Sequence, residues 1–184
     1  MSATGTFPLP AADQALPELA VGPVSRLDLA LYCGASGDHN PIHVDIDFAR
    51  RAGMEDVFAH GMLSMAYLGR VLTDWVPQSW IEDYAVRFSA ITPVGARLRC
   101  SARVSGVSAL DHGWRVRLVL AVLDQNDELK IKGEATVRVP AMKVGTAGWA
   151  TTNCSAAAGR GTLYSSQTAS IFRTRSMISA GAGA

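Results

Sequence analysis

The sequence predicts an α+β domain in which an antiparallel sheet wraps around one long buried helix. Three observations predict it. One segment, MLSMAYLGRVLTDWV from Met62, is apolar on most of its faces, as a buried helix is. After it the period changes to 2, as in Arg97–Val104 and Lys130–Val139, where polar and apolar residues alternate. Turn residues at Pro93–Gly95, Asp111–Gly113 and Gln125–Glu128 then separate the alternating runs as hairpins.

In chain order, residues 1–24 carry several prolines and read as an irregular lead-in with a short strand at Leu19–Val21. Ser25 is a helix N-cap before Leu27, Ala30 and Leu31, and Gly34 is the expected stop. The run GASGDHNPIHVD is loaded with Gly, Asp, Asn and Pro and reads as loop or turn. A helical turn is expected over Asp47–Ala52, before Gly53, and the buried helix begins at His60-Gly61. Four strands follow, around Tyr84–Phe88, Arg97–Val104, Trp114–Val122 and Lys130–Val139, with one face covered and one exposed.

Composition narrows the function classes. The 184 residues are 48% hydrophobic with a formal net charge of +1, enough apolar material for one core and no basic excess of the kind nucleic-acid binding requires. No apolar run approaches the roughly 18 residues that span a bilayer, so neither nucleic acid nor membrane is an expected partner. The opening residues lack the basic and apolar regions of a secretory signal. Cys33, Cys100 and Cys154 are odd in number and far apart, matching neither a zinc spacing nor a disulfide framework, so a reducing cytoplasm is expected.

The charge is unevenly distributed. Residues up to Pro140 carry 13 basic and 16 acidic side chains, whereas the stretch from Ala141 to Ala184 has four basic residues and no acidic one. That stretch is rich in Ala, Gly, Ser and Thr without an apolar period, too little to offset its ordering entropy. The expected division is therefore a domain over 1–140 and a flexible low-complexity tail over 141–184.

The chemistry concentrates in Gly37-Asp38-His39-Asn40-Pro41-Ile42-His43. Asp38 and His43 stand five residues apart on a turn that Gly37 lets bend and Pro41 stiffens. A carboxylate and an imidazole presented together can hold one water or divide acid and base duties. Asn40 either orients a ligand carbonyl or braces the loop, and an Asp or Asn in such a loop commonly makes an Asx turn. At the start of the buried helix, the Gly61 N–H is an unpaired first-turn donor with the helix dipole behind it, suited to a developing oxyanion. A glycine there also gives clearance between helix and sheet. His39 is expected to face solvent, His112 lies in a hairpin turn, and Cys33 lacks a paired base. Arg97, Arg99 and Arg103 share a strand face that is either a solvated surface or, with Arg87, a contact for the phosphates of a carrier.

These motifs resemble a known signature. Gly37–His43 fits G-D-x-N-P-[LIV]-H, and Ala59-His60-Gly61-Met62 fits A-H-G-M, with Gly61 18 residues beyond His43. Together they are similar to the MaoC-like dehydratase and (R)-specific enoyl-CoA hydratase family, over about residues 15–140. The resemblance implies a hotdog fold with no second repeat, usually dimeric, as a homodimer or paired with another hotdog subunit. It implies hydration of trans-2-enoyl thioesters of CoA or acyl carrier protein to (R)-3-hydroxyacyl thioesters in fatty acid metabolism, without metal or redox cofactor. Asp38, His43 and Gly61 are carried over as catalytic positions, and Asn40 and His60 as substrate-binding ones. A non-catalytic acyl-thioester-binding subunit and a hotdog thioesterase are the alternative functions.

Overall fold

The computed structural model describes residues 7–141. The expected tail over 141–184 lies, beyond Ala141, outside the described residues. Strand β1 (Leu19–Val21) leads into α1 (Arg26–Ser36), a 3-10 turn (Pro41–His43), α2 (Ile46–Arg51) and α3 (Gly61–Thr73). A second 3-10 turn (Gln78–Trp80) opens β2 (Ile81–Phe88), followed by β3 (Leu98–Leu110), β4 (Gly113–Leu123) and β5 (Leu129–Pro140). The strands form one antiparallel sheet in the order β1-β3-β4-β5-β2.

Alternation explains the sheet. Along β3, Leu98, Cys100, Ala102 and Val104 are buried, while Arg97, Arg99 and Arg103 face out. On β4 the apolar run at Leu118–Leu120 still alternates in burial, because Val119 points outward between its buried neighbours. Register places Ala102 opposite Leu120, and Leu120 opposite Gly133, stacking the small and large inward residues across three strands.

Helix α3 lies against this inner face, touching β1, β2, β3 and β4. Leu63, Met65, Leu68, Val71 and Leu72 are all buried there. Each fully buried leucine contributes about 1.5–3 kcal/mol relative to exposure. The Tyr84 hydroxyl of β2 donates to the Met65 carbonyl at 2.7 Å, tying the sheet edge to the helix. Burial pushes that phenol well above its ordinary range.

Two sequence expectations are corrected. Helix α1 does not stop at Gly34: it runs to Ser36, and Gly37, at φ 74°, is the left-handed cap whose N–H returns to the Cys33 carbonyl. Ser25 is the N-cap as expected, with a full capping box to Asp28. Nor is Pro93–Gly95 a hairpin turn between paired strands, since β2 pairs with β5 and the chain crosses from that edge to reach β3 beside β1. The turns at Asp111–Gly113 and Gln125–Glu128 do join paired strands. The second turn is tied down by charge. Asp124 accepts from the Asn126 and Glu128 N–H groups and pairs with Lys130 at 3.2 Å, both side chains only 3% exposed.

Candidate active site

The site grows out of the junction between α1, the first 3-10 turn and the start of α3. Once Gly37 ends α1, the chain folds into two successive Asx-type contacts. The Asp38 carboxylate accepts from the Asn40 N–H at 3.3 Å, and the Asn40 side chain accepts from the Ile42 N–H at 3.2 Å. Asn40 thus caps the 3-10 turn and braces the loop. Pro41 at the first position of that turn fixes its entry, and the turn delivers His43 into the protein.

His43 is largely buried, and its Nδ1 lies 2.8 Å from the Phe58 carbonyl. A carbonyl only accepts, so Nδ1 carries a proton, and in the neutral ring Nε2 is the nitrogen with the lone pair. His60, 1% exposed, stacks on the His43 ring with centroids 3.8 Å apart and planes at 29°. Its Nε2 donates to the Asp38 backbone carbonyl at 3.1 Å, and the Tyr32 ring of α1 lies tilted against it with centroids 5.0 Å apart. Burial holds His60 below the usual imidazole range; the hydrogen bond to Asp38 opposes that shift and the neighbouring His43 adds to it.

One carboxylate oxygen of Asp38 and one ring nitrogen from each of His43 and His60 lie within 4.8 Å of one another. A water bonded to two groups at about 2.8 Å spans up to about 5.6 Å, so the exposed Asp38 and the inward His43 can hold one between them. By residue type this trio could also ligate a transition metal. Two stacked imidazoles, however, direct their in-plane lone pairs along nearly parallel planes rather than at one ion.

His60 is the N-cap of α3, and Gly61 is its first residue, so the Gly61 N–H has no acceptor within the helix. Gly61 also lines a cleft of about 330 Å³ with Phe58, Ser64, Phe88, Ile91, Thr92 and Lys130. Asp38 and His43 are not among the residues that line the cleft, but Phe58, whose carbonyl holds His43, is. The structure therefore gathers Asp38, Asn40, His43, His60 and Gly61 in one place.

The remaining candidates lie apart from it. Arg99 pairs with Asp127, Arg103 donates to the Asp13 carbonyl at 2.8 Å, and Arg97 is exposed, so their face is a solvated one. Arg87 is exposed on β2, and His39 and His112 face solvent. Cys33 and Cys100 are free thiols, and burial raises that of Cys100 to about 12; Cys154 lies outside the described residues. No helix among the described residues is long and apolar enough to cross a membrane. Sequence reasoning missed the Phe58 carbonyl, the Tyr32 ring and the Phe88 ring beside Gly61. Only the aromatic pair flanking the two motifs hinted at them.

Known proteins resemble the chain in sequence and in fold. The family model described as "MaoC like domain" matches residues 12–125. The (R)-specific enoyl-CoA hydratase of Rhodospirillum rubrum is 31% identical over 120 residues, covering 64% of this chain and 81% of that protein. The 3-hydroxyacyl-thioester dehydratase Z of Mycobacterium tuberculosis is 31% identical over 96 residues, 49% of this chain and 64% of its own length. Among solved structures, the unliganded R-hydratase PhaJ1 of Pseudomonas aeruginosa superposes with a TM-score of 0.62 at 27% identity, covering 71% of this chain and 82% of that one. The sheet around α3 is accordingly a hotdog fold, and the chain belongs to the MaoC-like family of hydratases and dehydratases.

Proposed function

We propose that this chain is a hydro-lyase that reversibly adds water to trans-2-enoyl thioesters, giving (R)-3-hydroxyacyl thioesters in fatty acid metabolism. The observation that carries the reading is the shared 4.8 Å sphere of the Asp38 carboxylate and the His43 ring, with the His43 Nδ1 anchored on the Phe58 carbonyl. The anchored Nδ1 aims Nε2 as the basic nitrogen. Asp38 accepts the second hydrogen of the water and fixes its orientation.

In the hydration direction the water oxygen bonds to C3 while the Asp38–His43 pair takes its proton. The C2=C3 π electrons move toward the thioester carbonyl, and the enolate oxygen is stabilised by the Gly61 N–H at the positive end of α3. A proton from the pair then forms the C2–H bond, so the enzyme returns to its starting state. The acid and base roles are assigned to the pair and not divided between its two members. The acyl tail lies in the cleft between Phe58, Phe88 and Ile91, and Asn40 holds the loop in place. A CoA or acyl-carrier-protein thioester is the substrate class, in a cytoplasmic setting, and the working form is a dimer of hotdog subunits.

The test is incubation with crotonyl-CoA and longer trans-2-enoyl-CoAs, followed at the enoyl absorbance, with free thiol assayed in parallel. Loss of absorbance without thiol release is expected. Thiol release instead means a thioesterase, and binding with neither change means a non-catalytic subunit.

A further inference from the structure

We propose that His60 is a positioning residue: a buried imidazole beneath the dyad that locks Asp38, His43 and Gly61 into one geometry. The proposal rests on the hydration reading above and assigns His60 a role different from substrate contact. The ring is 1% exposed, which leaves no face for a substrate. Although His60 is the N-cap of α3, its side chain makes no capping hydrogen bond. The ring is turned away from the helix instead, its Nε2 on the Asp38 carbonyl and its face on His43.

The hydrogen bond fixes the tautomer. A carbonyl acceptor at 3.1 Å places the proton on Nε2, so Nδ1 is the unprotonated nitrogen, buried and without a partner among the described residues. Protonating it would put a second N–H where the described residues offer no acceptor, beside the positive end of α3. It would also set a cation 3.8 Å from the ring that carries the reaction's proton. The groups facing His60 are His43 from the 3-10 turn, Asp38 from the loop and Tyr32 from α1. Asp38 alone favours a charged ring, and it already receives the Nε2 proton through its carbonyl.

The mechanical consequence follows from connectivity. His60 holds the Asp38 backbone by a hydrogen bond, the His43 ring by stacking, and Gly61 by a peptide bond. One side chain therefore sets the distance between the water-holding pair and the oxyanion donor. A displacement on the order of 1 Å at such a site costs about 100-fold in rate, and it does so without removing any group that touches substrate.

The experiment compares wild type, His60→Leu and His60→Gln in crotonyl-CoA hydration and in thermal melting. Histidine ring nitrogens of the full-length wild-type protein are followed by 15N NMR across pH. His60→Leu removes the donor and should lower kcat about 100-fold with KM within about threefold. His60→Gln places an amide N–H near the Nε2 position and should recover at least tenfold of that loss. The His60 ring should remain the Nε2–H tautomer and take up a second proton only at lower pH than an ordinary imidazole does. A loss confined to KM, a His60→Leu variant within threefold of wild-type kcat, or a His60 ring that titrates at or above the ordinary value would each overturn the proposal. Should His60→Leu fail to fold, the glutamine variant and the wild-type tautomer still decide. Absence of hydration by wild type itself refutes the functional reading instead, and the ring's tautomer and charge are then read independently.

Discussion

Replacing Gly61 by alanine separates packing from chemistry at one atom. A Cβ built there lies 3.0, 3.1 and 3.4 Å from three carbons of the Phe88 ring, whereas unstrained carbon contacts sit at about 3.5–4.0 Å. Relief requires the ring to move by about half an ångström. Phe88 is 48% exposed at the end of β2, so it can give way. The overpacking cost is then at the low end of its range, about 1 kcal/mol. Alanine is favoured over glycine in a helix by up to about 1 kcal/mol, which offsets most of it. Folding stability should change by no more than about 1 kcal/mol, a Tm shift of roughly 4 °C or less. Catalysis should respond very differently, because the new methyl stands beside the N–H proposed as the donor to the enolate oxygen. Blocking one oxyanion donor costs about 10²–10³ in kcat. The assay is crotonyl-CoA hydration beside a thermal melt, with Gly61→Ala/Phe88→Ala as the control that removes the clash but keeps the methyl. A single variant that retains more than a third of wild-type kcat refutes the oxyanion role. A double variant that regains full activity shows that displacement of Phe88, not the blocked donor, caused the loss.

Other outcomes are expected away from the chemistry. Asp124→Asn keeps the turn's acceptor but breaks the pair with Lys130, and should cost about 2 kcal/mol, roughly 7 °C in Tm, with hydration unchanged. Burial alone would raise the Asp124 carboxyl, but the Asn126 and Glu128 N–H groups and Lys130 outweigh it and hold it below the ordinary value. The stabilisation is therefore present above the usual carboxylate range and lost as pH falls through the lowered value; urea melts at falling pH should show this in wild type and not in Asp124→Asn. Among the described residues β2 is an edge strand, with a neighbouring strand on one side only, and light scattering at micromolar concentration should find a dimer; a fully active monomer contradicts this. A chain ending at Val144 should hydrate a CoA substrate as the full chain does, and loss of hydration or of folding would place the tail inside the domain.

How far the fold could be read from residues depended on whether the signal was local. The capping box at Ser25, the buried period of α3 and the alternation of β3 are local, and each element appears where its residues put it. Where α1 ends was not legible, because two glycines three residues apart, Gly34 and Gly37, are both eligible stops, and only backbone φ distinguishes them. Pairing was not legible either. Pro93–Gly95 bends the chain, but a turn does not say which strand the next one joins, and β2 sits at the far edge beside β5. Lys130 was read as an outward position of an alternating strand, yet it is buried beside Ile131 because Asp124 and Glu128 neutralise it. At the site, Asp38, His43 and Gly61 stood out as candidates through the match of the two motifs to a family signature rather than through spacing alone. The backbone carbonyls of Phe58 and Asp38, which orient the two imidazoles, have no side-chain signature to read.

The most direct test of the central claim is hydration of crotonyl-CoA by the full chain beside Asp38→Asn and His43→Ala. Turnover is followed at the enoyl absorbance and the product resolved by chiral analysis. The account predicts an (R)-3-hydroxyacyl product from wild type. Each variant should remain folded and lose at least about 100-fold in kcat. A variant that folds and keeps more than a third of wild-type turnover, or a wild type that yields the (S)-product, would contradict it.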